Sequence, residues 1–350
     1  MALGRRKREQ QQEFWIAADG IDEAPGHVFY QRLNRLLKDE GFDEFVEELV
    51  EPFYAQRGRP GIAPGIYFRM LFVGYFEGID SQRGIAWRCR DSLSLREFLG
   101  LLLTDSVPDH SSLTRIRDRL PLEVTQEVFA FVLRIASERK LISGTQVGVD
   151  STLLEANAAM KSIVRRDSDE DWQAYVKRLM QEADVIDEDD EPTDDEKRRF
   201  DRSRKGKKVS NEDWKSPADD DARIVRMKDG RTHFGYKAEH TTCLESEFIV
   251  SATVQPGTAA DTQTLMGAVV DAQVNLVRAG SDADVQEGVA DKGYHANRQI
   301  TECDRFGIRT YIPEPSSKNK RRWTDKPDEV TPAVLNNRRR ISRRKSRKLQ

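Results

Sequence analysis

The stretch Gln146-Val147-Gly148-Val149-Asp150-Ser151-Thr152 decides how the rest of this chain is interpreted. It is rich in β-branched and apolar residues, and it stays uncharged until Asp150. Such a run is typical of a buried central strand. An aspartate placed where that strand emerges is held in position by the sheet and still reaches solvent. The stretch therefore offers a fixed carboxylate of the kind that binds metal ions.

A second stretch, Gly288-Val289-Ala290-Asp291-Lys292-Gly293-Tyr294, has the same pattern of a short apolar strand, an aspartate and a glycine turn. If the two strands lie side by side, Asp150 and Asp291 come together although they are far apart in the sequence. The simpler alternative is that each aspartate caps the next helix or forms an Asx-turn. The presence of both stretches in one chain favours the first interpretation.

Composition limits the possible classes of protein. A chain of 350 residues favours two domains, and a third of the residues are charged although the net charge is only −3. Cys89, Cys243 and Cys303 show no Cys-x-x-Cys spacing, which argues against a disulfide framework or a common zinc site. No secretory signal is evident, and the longest apolar stretch, residues 66–76, is too short to span a bilayer. We therefore expect a cytoplasmic protein without a membrane partner.

The first part of the chain has mainly helical patterns. We predict a flexible N-terminus over residues 1–26 and an all-α domain over 27–142. Asp109 can cap a short helix that places Leu113 and Ile116 inside and its arginines outside. A short helix with one buried and one arginine-bearing edge is typical of a helix-turn-helix that enters a DNA groove. DNA contacts are thus predicted for Arg115, Arg117 and Arg119; an ordinary solvated charged face is the alternative.

The second part is predicted to be an α/β domain over residues 143–315. Its elements follow the order strand, hairpin of two strands, helix, strand, helix, strand, which packs economically as one mixed five-stranded sheet with flanking helices. A charged insertion at about residues 165–232 has few apolar residues, so we expect it to be largely exposed, with a helix near Trp172. Residues 316–350 form a basic tail. Arg338, Arg339 and Arg340 are its candidate contacts to DNA phosphates, although a tail without a ligand is equally compatible.

Several segments in this order resemble bacterial insertion-sequence transposases of the DDE type, and the resemblance covers nearly the whole chain. The matching segments are Arg59-Pro60 with the following helix, Pro108-Asp109-His110-Ser111, Gly148-Val149-Asp150-Ser151-Thr152, Ser210-Asn211-Glu212-Asp213-Trp214, Lys228-Asp229-Gly230-Arg231-Thr232-His233 and Ala290-Asp291-Lys292-Gly293-Tyr294. The resemblance implies a ribonuclease H-like catalytic domain after a helical transposase domain. It also implies that Asp150 and Asp291 are the first two catalytic, metal-binding acids.

The resemblance further implies two Mg²⁺ (or Mn²⁺) ions, which would activate the attacking oxygen and stabilise the leaving one during DNA strand cleavage and transfer. The implied partners are double-stranded DNA, at the element ends and at the target, and a second copy of the chain when DNA is bound. The implied location is the bacterial cytoplasm or nucleoid. Lys237 and Lys292 are predicted phosphate contacts.

The chain departs from the family at the third acid, normally a glutamate on the helix after the last strand. No such glutamate follows Arg340, so the chain is interpreted as truncated, with apolar sheet surface left exposed. Glu155 and Glu239 are the substitutes we considered. Two further functions therefore remain open: a non-catalytic DNA-binding protein or inhibitor derived from a transposase, and a ribonuclease H-like nuclease completed by Glu155 or Glu239.

Overall fold

The structure is a computed structural model, and it describes residues 26–55, 57–58, 61–205, 210–316 and 327–343. The chain separates into two compact units, one up to Phe129 and the other from Ala130. This division falls inside a helix that ends at Glu138, whereas the sequence suggested a division near residue 142. Most of the predicted flexible N-terminus, the pair Arg59-Pro60 and the last basic residues lie outside the described residues.

The N-terminal unit is helical, as the sequence predicts. Its elements are α1 (Val28–Asp39), α2 (Phe42–Val50), α3 (Pro64–Phe76), α4 (Gln82–Asp91), α5 (Leu93–Phe98), α6 (His110–Arg119) and the first half of α7 (Leu122–Glu138). Helix α3 begins with a proline in its first turn and buries residues nearly all round, among them Phe68 and Met70. Arg69 is also buried there, where it pairs with Asp43 and lies 5.6 Å from the ring centroid of Phe42. The apolar α3 is thus the core helix of this unit.

Helix α6 forms where the sequence places it. The Asp109 carboxylate caps its start by accepting a hydrogen bond of 2.8 Å from the backbone N–H of Ser112. That bond, with further hydrogen bonds from Ser111 and Ser112, lowers the pKa of Asp109 to about 2. Leu113 and Ile116 are buried, so the predicted inner edge of this helix is confirmed.

The C-terminal unit is built around one sheet. After α7 come β1 (Gln146–Glu155), β2 (Val164–Arg165), α8 (Trp172–Glu182), α9 (Asp194–Ser203), β3 (Trp214–Lys215), β4 (Arg223–Arg226), β5 (Thr232–Cys243), β6 (Ile249–Pro256), α10 (Asp261–Arg278), β7 (Glu287–Ala290), α11 (Asn297–Arg305), β8 (Arg309–Tyr311) and α12 (Val330–Ser342). The six strands of the main sheet run in the order β4-β5-β1-β7-β8, with β6 also paired to β5. Strands β2 and β3 form a separate two-stranded ribbon.

The main sheet is mixed. Strand β1 is antiparallel to β5 and parallel to β7, and β7 is parallel to β8. The predicted α/β class is therefore confirmed, and all five predicted strands form; β4 adds a sixth. Helix α10 lies against β1, β5 and β6 and buries Leu265 and Val269. Val270, which was predicted to face inward, is 45% exposed because it follows Val269 on the helix and points away from the sheet.

The insertion is largely exposed and has a helix near Trp172, as predicted, but it also contributes to a small core that its charge did not predict. Residues of α8, of the β2–β3 ribbon and of the adjoining strands form this core, in which Trp214 is 5% exposed. The Arg165 guanidinium lies over two rings, 4.8 Å from Tyr175 and 5.4 Å from Trp214. Charged side chains of the insertion also pair, as in Lys177 of α8 with Glu191 at 2.7 Å. Aromatic–cation contacts hence replace the missing aliphatic residues.

The basic tail is likewise corrected, because residues 330–342 form the packed helix α12. Val334 and Asn337 are fully buried on its inner face. The Asn337 amide accepts a hydrogen bond from the backbone N–H of Ile312 at 3.0 Å and donates one to the Ile312 carbonyl at 2.8 Å. Glu329, predicted to lie in a loop, immediately precedes α12 and pairs with Arg305. This helix therefore covers the end of β8 and α11, where the sequence suggested no packed element.

Candidate functional site

The two candidate acids follow the matched parts of two neighbouring parallel strands. Strands β1 and β7 pair from Gln146 opposite Glu287 to Val149 opposite Ala290. Strand β7 ends at Ala290, whereas β1 continues to Glu155 and beyond Val149 pairs with β5 only. Asp150 and Asp291 are the next residues on each strand, and adjacent strands are roughly 4.8 Å apart. Asp150 and Asp291 therefore lie at the same level of the sheet on neighbouring strands.

Both aspartates are exposed and line one cleft of about 670 Å³. Each uses its Oδ1 atom locally: Asp150 accepts from the N–H of Ser151 at 2.8 Å, and Asp291 accepts from the N–H of Gly293 at 2.7 Å. The bond to Gly293 is the cap that the simpler interpretation expects, at a single turn of 3-10 helix over residues 292–294. Capping and exposure in the cleft thus coexist at Asp291.

The remaining wall of the cleft combines apolar and polar groups. Leu244 packs over Gly148, where a Cβ would stand only 2.7 Å from a Leu244 methyl carbon. Glycine at this position therefore lets Leu244 close one side. Thr242 and the exposed Lys292 contribute a hydroxyl and an ammonium group to the same cleft. Of the two lysines predicted to contact phosphate, Lys292 is the one that lies beside the acids.

Lys237 is placed differently. It is 4% exposed, it forms an ion pair with Asp261 at the start of α10, and its ammonium donates to the Ala259 carbonyl at 3.0 Å. Asp261 also accepts a hydrogen bond of 3.0 Å from the hydroxyl of Ser151. Because the strand alternates, Ser151 lies on the opposite face from Asp150. Lys237 therefore supports the sheet from behind the cleft and is not presented to a phosphate in this structure.

The turn that carries Asp291 is fixed by a buried network. The hydroxyl of Tyr294 donates to Glu239 at 2.9 Å, and Glu239 also accepts from Thr264 at 2.5 Å and Gln255 at 3.2 Å. Tyr294 and Glu239 are each 1% exposed. Burial, together with the Glu239 charge, raises the pKa of Tyr294. Tyr294 therefore anchors the turn in its protonated form as a hydrogen-bond donor.

Neither substitute for the third acid joins the two aspartates. Glu239 is enclosed by the network just described, and Glu155 pairs with His233 at 2.7 Å. Glu155 also lies five positions beyond Asp150 on β1, or roughly 17 Å along an extended strand. In the described ranges of the chain, no group of three His, Cys, Asp or Glu side chains has the arrangement to hold a metal ion.

Sequence reasoning missed the supporting groups, above all Asp261. The Oδ2 atom of Asp261 and the Oδ1 atom of Asp291 lie 3.1 and 2.9 Å from the point where a Cβ would stand on Gly293. In the sequence Asp261 was only a possible helix cap. Gly293, two residues after Asp291, was the available signal for this arrangement. A residue without a side chain is needed where two carboxylates approach the backbone this closely.

The other predicted DNA contacts fall into two groups. On α6, Arg115, Arg117 and Arg119 are all exposed, and Arg117 lies 3.4 Å from Asp118. On α12 only Arg339 stays clear of the sheet. There, Arg338 pairs with Glu314 at 2.8 Å, and the half-buried Arg340 donates to the Thr310 carbonyl at 3.0 Å. The arginines of α12 therefore hold the helix on β8 as well as adding charge.

Comparison with known proteins gives one result, and it concerns the N-terminal unit. Residues 19–119 match a sequence family described as Transposase domain (DUF772). The match supports a transposase. It covers less than a third of the chain and includes α1 to α6. No curated protein and no solved structure matches the chain. Within the described segments, no helix is long and apolar enough to cross a membrane.

Proposed function

We propose that this protein is a DDE-type DNA transposase that binds the terminal inverted repeats of an insertion sequence and catalyses metal-dependent strand cleavage and transfer. The match of residues 19–119 supports the transposase class. The strand order supports the finer assignment, since three antiparallel strands (β1, β5, β6) are followed by α10 and two strands parallel to β1. This order resembles that of the ribonuclease H-like fold.

One observation carries the proposal: Asp150 and Asp291 line the same cleft, each directly after the paired part of two parallel strands. Carboxylate oxygens are the protein ligands that Mg²⁺ and Mn²⁺ prefer. Mg²⁺ commonly uses one or two carboxylates and completes its shell with water and substrate phosphate oxygens. Two acids in an open cleft therefore fit Mg²⁺, with DNA supplying the remaining oxygens. Bound there, two metal ions would supply charge stabilisation for an in-line displacement at phosphorus.

The chain's own groups have distinct tasks in this proposal. Asp150 and Asp291 hold the ions. Lys292 extends from the turn beside Asp291 and contacts a phosphate oxygen of the bound strand. The Tyr294–Glu239 network keeps that turn in place, so that the carboxylate need not reorganise when DNA arrives. Double-stranded DNA is the partner, and a dimer that pairs two element ends is expected in the bacterial nucleoid.

The test is a cleavage assay on DNA that flanks the coding sequence, with Mg²⁺ or Mn²⁺. Stabilisation worth several kcal/mol is lost with a metal ligand, so Asp150→Asn and Asp291→Asn should each lower the cleavage rate roughly 100-fold or more. Asp284→Asn is the matched control, because Asp284 is exposed just before the opposite end of β7. Cleavage that is equal in wild type, Asp150→Asn and the control would refute the catalytic role.

A second candidate is a DNA-binding protein without catalysis. The described residues favour it in one respect, because they contain no third acid grouped with the two aspartates. This candidate predicts DNA binding that weakens steeply with salt and no cleavage at any metal concentration. The same assay separates the two functions, provided that binding is measured alongside cleavage.

A further inference from the structure

Helix α4 exposes a tryptophan between two arginines. Arg83, Trp87 and Arg90 are spaced by four and three residues, so they lie along one stripe of the helix. Trp87 is 65% exposed, whereas the inward side of α4 buries Ile85 and Cys89. The indole therefore contributes little to the core, and its apolar surface is left for an external contact.

The arginines on this side of the unit lack acidic partners. In the described chain, no carboxylate lies within ion-pair distance of Arg83, Arg90, Arg115 or Arg119. By contrast, Arg88 on the same helix pairs with Glu77 at 2.6 Å. The nearby carboxylates are those of Asp91 at the end of α4, of Asp109, which caps α6, and of Asp118, which lies 3.4 Å from Arg117. The four arginines named above thus present positive charge without a paired carboxylate.

Helices α4 and α6 form one continuous surface. The Thr114 hydroxyl donates to the Gln82 side chain at 2.5 Å. Arg83 lies 3.5 Å from the imidazole of His110 at the start of α6. Arg90 of α4 and Arg115 and Arg119 of α6 line one groove of about 650 Å³, together with Asp109 and residues of the neighbouring loops. The Arg119 guanidinium is held 4.6 Å from the ring centroid of Tyr54, which positions one of these charges.

We propose that α4 is a second nucleic-acid-binding helix beside α6, in which Arg83 and Arg90 contact phosphates and Trp87 stacks on an unpaired nucleotide between them. The seven steps from Arg83 to Arg90 span about 10 Å at 1.5 Å per residue. That length equals about three nucleotide steps at 3.4 Å per step along one strand. Arginine charge with an interleaved aromatic ring is the combination that binds the backbone and a base together.

A protein partner fits this surface less well. A protein partner would have to supply a carboxylate for each of the four arginines, which have no acidic partner among the described residues. A polyanion neutralises all of them. This inference rests on the proposed function, since it assumes that the chain binds DNA, but it names residues and a contact that α6 alone does not supply.

The experiment measures binding of the full chain to fluorescently labelled DNA from the flanking sequence, a duplex with a single-stranded overhang, at several salt concentrations. Trp87→Ala should weaken binding roughly tenfold, and Trp87→Phe should recover most of the loss because the ring still stacks. Arg83→Ala and Arg90→Ala should each lower the salt dependence by about one phosphate contact. Tyr75→Ala is the control: Tyr75 is 75% exposed on α3 and should not affect binding.

The outcomes separate the two proposals. If wild type binds DNA and Arg115→Ala weakens it, but Trp87→Ala binds unchanged, the α4 proposal is wrong and the proposed function stands. If wild type does not bind DNA at low salt, both are wrong. If Trp87→Ala changes the oligomeric state and leaves DNA affinity intact, the stripe is a protein interface and the α4 proposal is overturned. An unchanged circular dichroism spectrum confirms that the variants fold.

Discussion

The ion pair between Lys237 and Asp261 should respond unequally to removal of its two partners. Its side chains are 5% and 35% exposed, respectively. In Asp261→Ala, the Lys237 ammonium stays buried with the Ala259 carbonyl as its remaining hydrogen-bond partner and the Tyr294 ring 5.9 Å away. In Lys237→Met, the Asp261 carboxylate still reaches water and keeps its hydrogen bond from Ser151.

The burial difference sets the magnitudes. Leaving a buried charge without its partner costs about 3–5 kcal/mol, which we expect for Asp261→Ala. A partly hydrated carboxylate loses less, so Lys237→Met should cost about 1–2 kcal/mol. In a unit of this size, 1 kcal/mol shifts the melting temperature by about 2–4 °C. The expected decreases are therefore about 6–20 °C for Asp261→Ala and about 2–8 °C for Lys237→Met.

Differential scanning calorimetry of the full chain, following the transition of the C-terminal unit, checks this order. The double variant should lose about as much as Lys237→Met alone, because removing the lysine removes the stranded charge. If Lys237→Met costs as much as Asp261→Ala, or if the two losses simply add, then the buried charge is not what makes the pair asymmetric.

Three further perturbations follow from the structure. Gly257→Ala should destabilise the protein, because the added Cβ would stand 2.5 Å from a backbone carbonyl oxygen. In Gly267→Ala the added Cβ meets no atom within 4 Å, so this variant should stabilise α10 by about 1 kcal/mol. Chemical denaturation measures the free energy of unfolding of both variants. Asn337→Ala leaves two buried backbone groups at the end of β8 without partners and should cost about 2–4 kcal/mol by the same measurement. The hydrogen bond with the Glu155 carboxylate raises the pKa of His233 above its usual 6.5. The protonated His233 therefore stabilises the fold fully below pH 6.5, and this stabilisation is lost as the pH rises through the raised pKa. His233→Gln should flatten that part of a plot of melting temperature against pH. If the slope is unchanged, His233 is not the source of the pH dependence.

The sequence was most informative where the hydrophobic pattern had a clear period. The strands that carry Asp150 and lead to Asp291 could be predicted, and so could their pairing, because the order of the elements favours one sheet with helices on its faces. The face on which each side chain lies was harder to predict. Lys237 alternates with its neighbours like any strand residue, and nothing in the sequence shows that α10 covers its side of the sheet.

Two segments were misread for different physical reasons. The insertion has few aliphatic residues, so its composition did not indicate the core in which Arg165 packs against aromatic rings. Helix α12 lies in a segment that was predicted to be only a basic tail, and it contains Pro332 near its start. A proline in the first turn does not break a helix, because the N–H groups of that turn have no intrahelical partner.

Strand β1 pairs with β5 without interruption from Val147 opposite Cys243 to Glu155 opposite Gly235. Side chains alternate along such a strand, so a slip of a single residue would move every one of them to the opposite face. If one residue were deleted or inserted between Val147 and Asp150, the Asp150 carboxylate would turn toward α10 unless the Val147 end of the strand shifted its own pairing instead. The number of residues between Val147 and Asp150 is therefore as much a requirement for the cleft as the aspartate itself.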